Sequence, residues 1–139
     1  MSIDSFKGTF LSNFWECRVE FGGRVFGNAE AAYQSAKCSE RAVEFQGLTA
    51  KQAKARGKRV PARPDWDTVR VDVMREVLRA KFSNPELRAM LVATAPEELV
   101  EGNRWGDRFW GRCKREGQNM LGRLLMELRD EHLKTGTSE

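Results

Sequence analysis

The stretch CRVEFGGRVFGNAEAAYQSAK, residues 17–37, predicts the first structured part of the fold. Its opening alternates apolar and polar residues, as expected of a strand, and a second short strand follows Gly22-Gly23. Two adjacent glycines suit a two-residue hairpin turn, because both central positions of that turn need positive φ. We therefore expect a small β-hairpin over residues 17–26. Asn28 is a preferred N-cap residue, so a helix is expected from Ala29 to about Cys38.

Helical periodicity and capping residues recur through the rest of the chain. TAKQAKARGK predicts a short basic helix over residues 49–58 that ends at Gly57. Asn84-Pro85 combines an N-cap residue with proline at the first helical position, so a helix is expected over 85–93. The other predicted helices are one capped by Asp65 that runs from Trp66 to about Phe82, a short one over 96–101, and a final one from near Gln118 to Gly136. The last residues, TSE, are expected to form a frayed tail.

These elements predict the fold class and the domain organisation. We expect a mainly α, α+β fold of about six to seven helices with a small N-terminal β-hairpin. A chain of 139 residues has the length of one domain, so a compact single domain over residues 1–139 is expected.

The composition excludes several classes of protein. Apolar residues make up 40% of the chain and charged residues 32%, which is typical of a soluble protein, and no apolar run approaches the ~20 residues that span a bilayer. The first ten residues lack the basic and apolar regions of a signal peptide. The cysteines, Cys17, Cys38 and Cys113, are odd in number and widely spaced, which favours reduced thiols and a cytoplasmic location. We expect no membrane partner.

Metal and cofactor motifs are missing from the sequence. It has one histidine, His132, and no CxxC spacing, so no zinc site is expected. It has no P-loop, and no GxGxxG follows a strand, so no organic cofactor is expected. The net charge of +4 favours anionic ligands without requiring nucleic acid.

Aromatic residues are concentrated in a long segment, 102–116, in which no helix is predicted. Trp105, Phe109 and Trp110 surround one acid, Asp107. One interpretation is a flat aromatic slot with a carboxylate, which would suit a planar heterocycle joined to a sugar. The alternative is that the aromatic side chains fill the core and that Asp107 is a turn residue bonded to nearby backbone N–H groups.

Polar residues at helical spacing mark a second candidate region. Glu30, Gln34 and Lys37 stand at i, i+4 and i+7, on one polar stripe beside Tyr33. The alternative is structural, because an acid in the first turn and a lysine near the last turn both favour the helix dipole. From residue type alone, Trp66 is interpreted as an aromatic residue at the edge of the core whose indole N–H reaches a helix cap. The cationic residues of segment 102–116 can bind phosphate or form a solvated face; they are Arg104, Arg108, Arg112, Lys114 and Arg115.

Six motifs in order resemble one protein family. They are FLSNF (10–14), NAEAAYQSAK (28–37), PDWD (64–67), LRAKFSNPELRAMLVAT (78–94), LVEGNRWGDRFWG (99–111) and GQNMLGRLLMELR (117–129). Together they resemble the YbiA-like proteins, also called the NADAR superfamily. The resemblance implies a compact, mainly helical fold and the cleavage of N-glycosidic bonds without a metal or an organic cofactor.

The resemblance also implies a substrate class. Some members hydrolyse phosphoribosylamino-pyrimidine intermediates of riboflavin biosynthesis and release ribose 5-phosphate. Other members remove ADP-ribose from modified guanine in nucleic acid. The expected partner is therefore a small phosphoribosyl molecule, with ADP-ribosylated nucleic acid as the alternative. A non-catalytic module that binds ADP-ribose or single-stranded nucleic acid is a further alternative.

Site residues follow from the family motifs. The expected catalytic residues are Glu30, Asp107 and Lys37, and the expected substrate-binding residues are Asn13, Tyr33, Gln34, Trp66, Trp105, Arg108 and Trp110. The hypothesis gives Glu30 and Asp107 two duties, which are to stabilise the oxocarbenium-like sugar and to help the base leave. Which acid has which duty is left open, and in a variant mechanism Lys37 attacks the sugar as an amine and forms a Schiff base.

Overall fold

The computed structural model describes residues 2–136 and divides the chain into two compact units. The hairpin unit is Gly8–Lys81; the C-terminal unit contains the residues up to Lys7 and from Phe82 onward. The described part holds five α-helices, one 3₁₀ helix and six short strands. The predicted fold class, mainly α with a small N-terminal hairpin, is confirmed. The single domain over 1–139 stays a prediction.

The hairpin unit begins with the predicted β-hairpin. Strand β2, Glu16–Phe21, pairs antiparallel with β3, Arg24–Asn28. Gly22 and Gly23 have φ values of +60° and +78°, as a two-residue turn of this kind requires. The pairing places Val19 opposite Phe26, and both side chains are buried. The hairpin therefore lies with one face against the core.

Helix α1, Ala29–Ser35, follows the hairpin directly. Asn28 Oδ1 accepts a hydrogen bond from the N–H of Ala31 at 2.8 Å, which confirms the predicted N-cap. The expected end near Cys38 is wrong. The N–H groups of Ala36 and Lys37 donate to carbonyls three residues earlier, and this tighter geometry closes the helix at Ser35.

Three further helices complete the hairpin unit. A 3₁₀ helix that the sequence did not predict covers Ser39–Phe45. Helix α2 is Ala50–Gly57, close to its predicted range, and Thr49 with Gln52 forms a capping box at its start. Helix α3 is Trp66–Lys81, one residue shorter than predicted.

The C-terminal unit contains helix α4, two pairs of two-residue strands and helix α5. Helix α4 is Pro85–Ala93, as predicted, and Asn84 Oδ1 accepts from the N–H groups of Glu86 and Leu87. The strand pairs are β1, Ser2–Ile3, with β4, Glu98–Leu99, and β5, Gly102–Asn103, with β6, Arg112–Cys113; both are parallel. Helix α5, Met120–Gly136, starts two residues after the predicted Gln118. Four of its leucines are buried, at Leu121, Leu124, Leu125 and Leu128.

The short helix expected over 96–101 is wrong, because this segment pairs with the N-terminal residues. The N–H of Val100 donates to the carbonyl of Ile3 at 2.8 Å, and that of Gly102 donates to Asp4 at 3.1 Å. These bonds take the place of the ones that a helix would form internally. The expected frayed tail, 137–139, lies outside the described residues. Within 2–136, no helix has the length and apolar character needed to cross a membrane.

Glu101 is a partly buried carboxyl between β4 and β5. Its Oε1 accepts a hydrogen bond from the N–H of Phe6 at 3.4 Å. Burial raises the pKa of Glu101 to about 7; the bond from Phe6 opposes this shift, and the negative charge of Asp107 adds to it. The folded protein therefore holds a proton on Glu101 at pH values where the unfolded chain has released it.

We expect Glu101 to lower the free energy of unfolding as the pH rises from 4.5 to about 7. In this window the folded chain binds more protons than the unfolded chain, so stability falls with increasing pH. Glu101→Gln removes the ionisable group. The difference in melting temperature, variant minus wild type, should therefore be more positive at about pH 8 than at about pH 5. Thermal unfolding of both proteins at the two pH values measures this difference.

Glu98→Gln is the matched control, because Glu98 is an exposed carboxylate in the neighbouring strand β4. Its effect on the melting temperature should be the same at both pH values. A pH-independent effect of Glu101→Gln would contradict the prediction.

Candidate active site

Glu30 and Gln34 form a buried polar pair on helix α1. Glu30 is 9% exposed, and its Oε2 accepts a hydrogen bond from Gln34 Nε2 at 2.7 Å. Gln34 lies directly against Gly57 at the end of α2, where a Cβ would be 2.0 Å from Gln34 Oε1. The absence of a side chain at Gly57 therefore leaves the space in which Gln34 holds the Glu30 carboxylate.

Lys37, Trp66 and Tyr33 lie beside this pair. Lys37 Nζ is 6.0 Å from the centre of the Trp66 ring and donates to the carbonyl of Gly57 at 3.2 Å. The Tyr33 and Trp66 rings are 5.1 Å apart between centres and tilted by 50°. Trp66 is 8% exposed and Tyr33 5%, so the polar pair is flanked by two buried rings and by one partly buried amine.

The electrostatics of Lys37 favour a more reactive amine. Burial lowers the pKa of Lys37, the negative charge of Glu30 raises it, and the positive charge of Lys58 lowers it. The net direction is downward, so the neutral amine is more accessible than in a solvated lysine. A Schiff-base mechanism requires such a neutral amine.

Asn13 belongs to the same unit and contacts the start of helix α1. Its backbone carbonyl accepts a hydrogen bond from the N–H of Glu30 at 3.0 Å. Its side chain donates to Met74 Sδ at 3.4 Å, and its Oδ1 is buried without a hydrogen bond from residues 2–136. Asn13 therefore positions the first turn of α1, and its amide oxygen is one acceptor still to be satisfied.

Asp107 organises a tight turn in the C-terminal unit. Its Oδ1 accepts hydrogen bonds from the N–H groups of Phe109 at 3.1 Å and Trp110 at 2.9 Å. The side chain of Asn103 bonds to both the N–H and the carbonyl of Asp107, at 3.0 and 2.8 Å. Asp107 is therefore a turn residue bonded to backbone N–H groups through Oδ1, as the structural interpretation predicted. These two bonds also fix the direction in which the carboxylate points.

The aromatic residues of this loop occupy different environments. Phe109 and Trp110 are partly buried and meet edge to face, with ring centres 4.9 Å apart. Trp105 is 60% exposed and lines a cavity of about 830 Å³ whose lining residues include neither Asp107 nor Trp110. Arg108 forms an exposed ion pair with Glu116 at 3.4 Å, which contributes little to stability.

Glu101 is a candidate that sequence reasoning missed. The charge of Asp107 acts on it strongly enough to help raise its pKa, so the two carboxyls are electrostatic neighbours. In the sequence, Glu101 directly follows two apolar residues, Leu99 and Val100, and this position could have indicated a buried acid. Both apolar residues are buried. A carboxyl that titrates near neutral pH is suited to proton transfer.

The expected site residues fall into two groups, one in each unit. The hairpin unit brings together Asn13, Glu30, Tyr33, Gln34, Lys37 and Trp66. The C-terminal unit holds Trp105, Asp107, Arg108 and Trp110. The convergence of Glu30 and Asp107 on one sugar carbon stays a prediction. In the described part of the chain, no group of three or more His, Cys, Asp and Glu residues is arranged to hold a metal ion.

Comparison with known proteins finds close relatives in sequence and in structure. The chain is 38% identical to N-glycosidase YbiA of Escherichia coli over 130 residues, which cover 87% of this chain and 79% of that protein. It is 36% identical over 129 residues to a riboflavin biosynthesis protein of Vibrio vulnificus, covering 88% of this chain and 35% of that protein. The NMR structure of Escherichia coli YbiA matches with a TM-score of 0.85 and 32% identity, over 100% of this chain and 88% of that one.

These similarities bear on the enzyme class and on the family. Relatives named N-glycosidase, similar over most of the chain, confirm the expectation of an enzyme of the N-glycosidase class. The sequence model of the NADAR domain matches residues 4–133, nearly the whole chain. With the helical fold and the sequence motifs in agreement, the chain belongs to the NADAR domain family.

Proposed function

We propose that the chain cleaves the N-glycosidic bond between a heterocyclic base and a phosphorylated ribose. The proposed substrates are phosphoribosylamino-pyrimidine intermediates of riboflavin biosynthesis, and the proposed products are the free pyrimidine and ribose 5-phosphate. The observation that carries the proposal is the buried Glu30–Gln34 pair next to the Lys37 amine and the Trp66 ring. The names of the relatives from Escherichia coli and Vibrio vulnificus support the reaction and the substrate class.

The chemistry begins with cleavage of the bond between C1′ and the base nitrogen. The bonding pair leaves with the base, and positive charge develops on the ribose C1′ and ring oxygen. A carboxylate close to C1′ stabilises this charge, and a second carboxyl group delivers a proton to the departing nitrogen. Glu30 and Asp107 share these two duties in the proposal.

The two acids are prepared for these duties by different contacts. The Gln34 amide holds Glu30 Oε2, and two backbone N–H groups hold Asp107 Oδ1. In each case one oxygen is anchored, so the orientation of the other is restricted. Fixed orientation reduces the entropy lost on reaching the transition state.

Lys37 is the proposed nucleophile toward C1′. Its neutral Nζ adds to C1′ as the base departs and then loses a proton. The ring oxygen leaves C1′ with its bonding pair and takes up a proton, which gives a Schiff base between Nζ and C1′. Water adds to this carbon, the C–N bond breaks, and the open-chain aldehyde of ribose 5-phosphate is released. The lowered pKa of Lys37 supports this route over direct attack by water.

Aromatic contacts hold the base while these steps occur. Phe109 and Trp110 are partly buried, whereas Trp66 is 8% exposed and Tyr33 5%. In the proposal the pyrimidine stacks on Trp110 and meets only the exposed edge of Trp66. Such stacking contributes roughly 1–3 kcal/mol per ring to binding. We propose that Trp66 and Trp110 hold the base in register with the two acids. Trp105 instead lines the cavity of about 830 Å³ described above.

Glu30→Gln and Asp107→Asn should each lower turnover by ~10² or more, as is typical when an acid–base group is removed. Both replacements keep an amide oxygen that can accept the hydrogen bonds now made by Glu30 Oε2 and Asp107 Oδ1. The melting temperature should therefore change little. Release of the free pyrimidine and ribose 5-phosphate, measured by mass spectrometry, gives turnover.

The matched control is Glu40→Gln, because Glu40 is an exposed acid of the 3₁₀ helix in the hairpin unit. It should keep wild-type turnover. A substrate with a more acidic leaving base should restore turnover in the variant that lacks the proton donor and not in the other variant. Wild-type turnover in Asp107→Asn would show that Asp107 serves the turn alone, and the same result for Glu30→Gln would overturn its assignment.

Borohydride trapping tests the role of Lys37. Reduction of the wild-type protein during turnover should leave the sugar covalently attached to Lys37, because borohydride converts a Schiff base into a stable amine. Lys37→Arg keeps the positive charge and should give no adduct and little turnover. Peptide mass spectrometry locates the attachment. A trapped adduct on any other residue, or full turnover in Lys37→Arg, would contradict the prediction.

A further inference from the structure

A cavity of about 830 Å³ in the C-terminal unit is rich in positive charge. We call it the basic cleft. Its cationic lining residues are Lys7, Arg104, Arg112, Lys114 and Arg115. Only two acids, Asp4 and Glu98, line the same cavity, so positive charge prevails. Excess positive charge in a cleft attracts anionic ligands and raises their local concentration.

The exposure of these side chains indicates the size of the anion. Arg112 is partly buried, and the other four cations of the basic cleft are exposed. A site for one small phosphate compound needs a few polar groups that converge and are shielded from water. Exposed cations spread along an open cleft are instead suited to a chain of phosphates. Their binding releases the counterions that surround such a chain, and this release favours association.

Trp105 adds an aromatic surface to the basic cleft. Its indole lines the cavity and remains 60% exposed. An exposed ring of this size next to cations can stack on an unpaired base whatever the base is. Bases are accessible for such stacking in single strands, whereas in a duplex they are paired and stacked on each other.

Lys114 and Arg115 are held in a strained turn. Their φ values are +53° and +66°, and Cys113 and Glu116 on either side exchange two backbone hydrogen bonds, at 2.8 and 3.1 Å. This is the geometry of a two-residue turn that Asn-Gly adopts most readily, because both central residues need positive φ. Lysine and arginine are unfavourable in this conformation, so the turn presents two cations to the cleft at the expense of stability.

From these observations we propose that the basic cleft binds single-stranded nucleic acid. The cations contact successive phosphates, and Trp105 stacks on one base. This proposal does not depend on the hydrolysis proposed above, since its ligand carries no ribosyl modification.

The test is the binding of a fluorescent twelve-nucleotide oligothymidylate, followed by fluorescence anisotropy at several salt concentrations. If the cleft contributes three to four phosphate contacts, the logarithm of the association constant should fall with the logarithm of salt with a slope of about −2 to −3. Lys114→Asn/Arg115→Gly should weaken binding at least tenfold in low salt and make the slope shallower by about 1.4. The same double variant should raise the melting temperature by about 3 °C or more, because it places Asn-Gly in the turn.

Lys51→Gln/Lys54→Gln is the matched control. It removes the same charge from two exposed lysines of helix α2 in the hairpin unit, and it should leave most of the affinity intact. Trp105→Ala should weaken binding roughly tenfold or more, from the loss of stacking. The proposal is overturned if the oligonucleotide does not bind in low salt, if both double variants weaken binding equally, if ATP binds as tightly as the twelve-mer, or if a duplex of equal length binds more tightly.

Discussion

The start of helix α5 holds the loop that carries Asp107 and Trp110. The first N–H groups of any helix have no partner within the helix. The first two N–H groups of α5, those of Met120 and Leu121, donate to the carbonyls of Phe109 and Trp110 at 2.9 and 3.0 Å. Just before the helix, the N–H groups of Gln118 and Asn119 donate to Arg108 and Gly111 at 2.7 and 3.2 Å. A buried donor without a partner costs about 1–3 kcal/mol, so these bonds make the helix and the loop stabilise each other. This mutual requirement explains how a segment with little regular structure can present an acid in a fixed direction.

Asn119 extends the same constraint to the strands. It is buried with φ of +54°, and its side chain accepts from the N–H of Glu101 and donates to the carbonyl of Leu99, both at 2.9 Å. Gly122 lies so close that a Cβ there would be 2.2 Å from the carbonyl of Leu99. One side chain thus links the start of α5 to the residues around Glu101.

Most secondary-structure elements that depend on neighbouring residues were predicted from the sequence. Strand β4, which was missed, depends on pairing between distant parts of the chain. The hairpin and helix α4 were predicted because Gly22-Gly23 and Asn84-Pro85 dictate backbone conformation over a few residues. Residues 96–101 were assigned to the wrong element because their partners, Ser2–Ile3, are more than ninety positions away in the sequence. No periodicity within a segment reports a partner at that distance.

In the candidate site, too, contacts within one helix were predictable, and contacts between distant parts of the chain were not. The spacing of Glu30 and Gln34 predicted a shared face, and they form a hydrogen bond. The proximity of Trp66 to Lys37 depends on how helix α3 packs, so it came from the family resemblance and not from spacing. The raised pKa of Glu101 depends on burial by residues from distant parts of the chain. The apolar residues before it, Leu99 and Val100, indicate a buried segment but not how far the carboxyl itself is buried.

Lys81 and Lys37 both have a lowered pKa, but their surroundings differ. Burial lowers the pKa of Lys81 to about 8, and the nearby Cys17 opposes this shift. Lys81 is fully buried and donates to the carbonyl of Ser12 at 2.9 Å, so its amine supports the backbone of the FLSNF segment and is out of reach of a substrate. Lys37 is only partly buried and lies beside the Glu30 carboxylate and the Trp66 ring. The accessibility of the amine and its neighbouring groups therefore favour Lys37 as the reactive lysine.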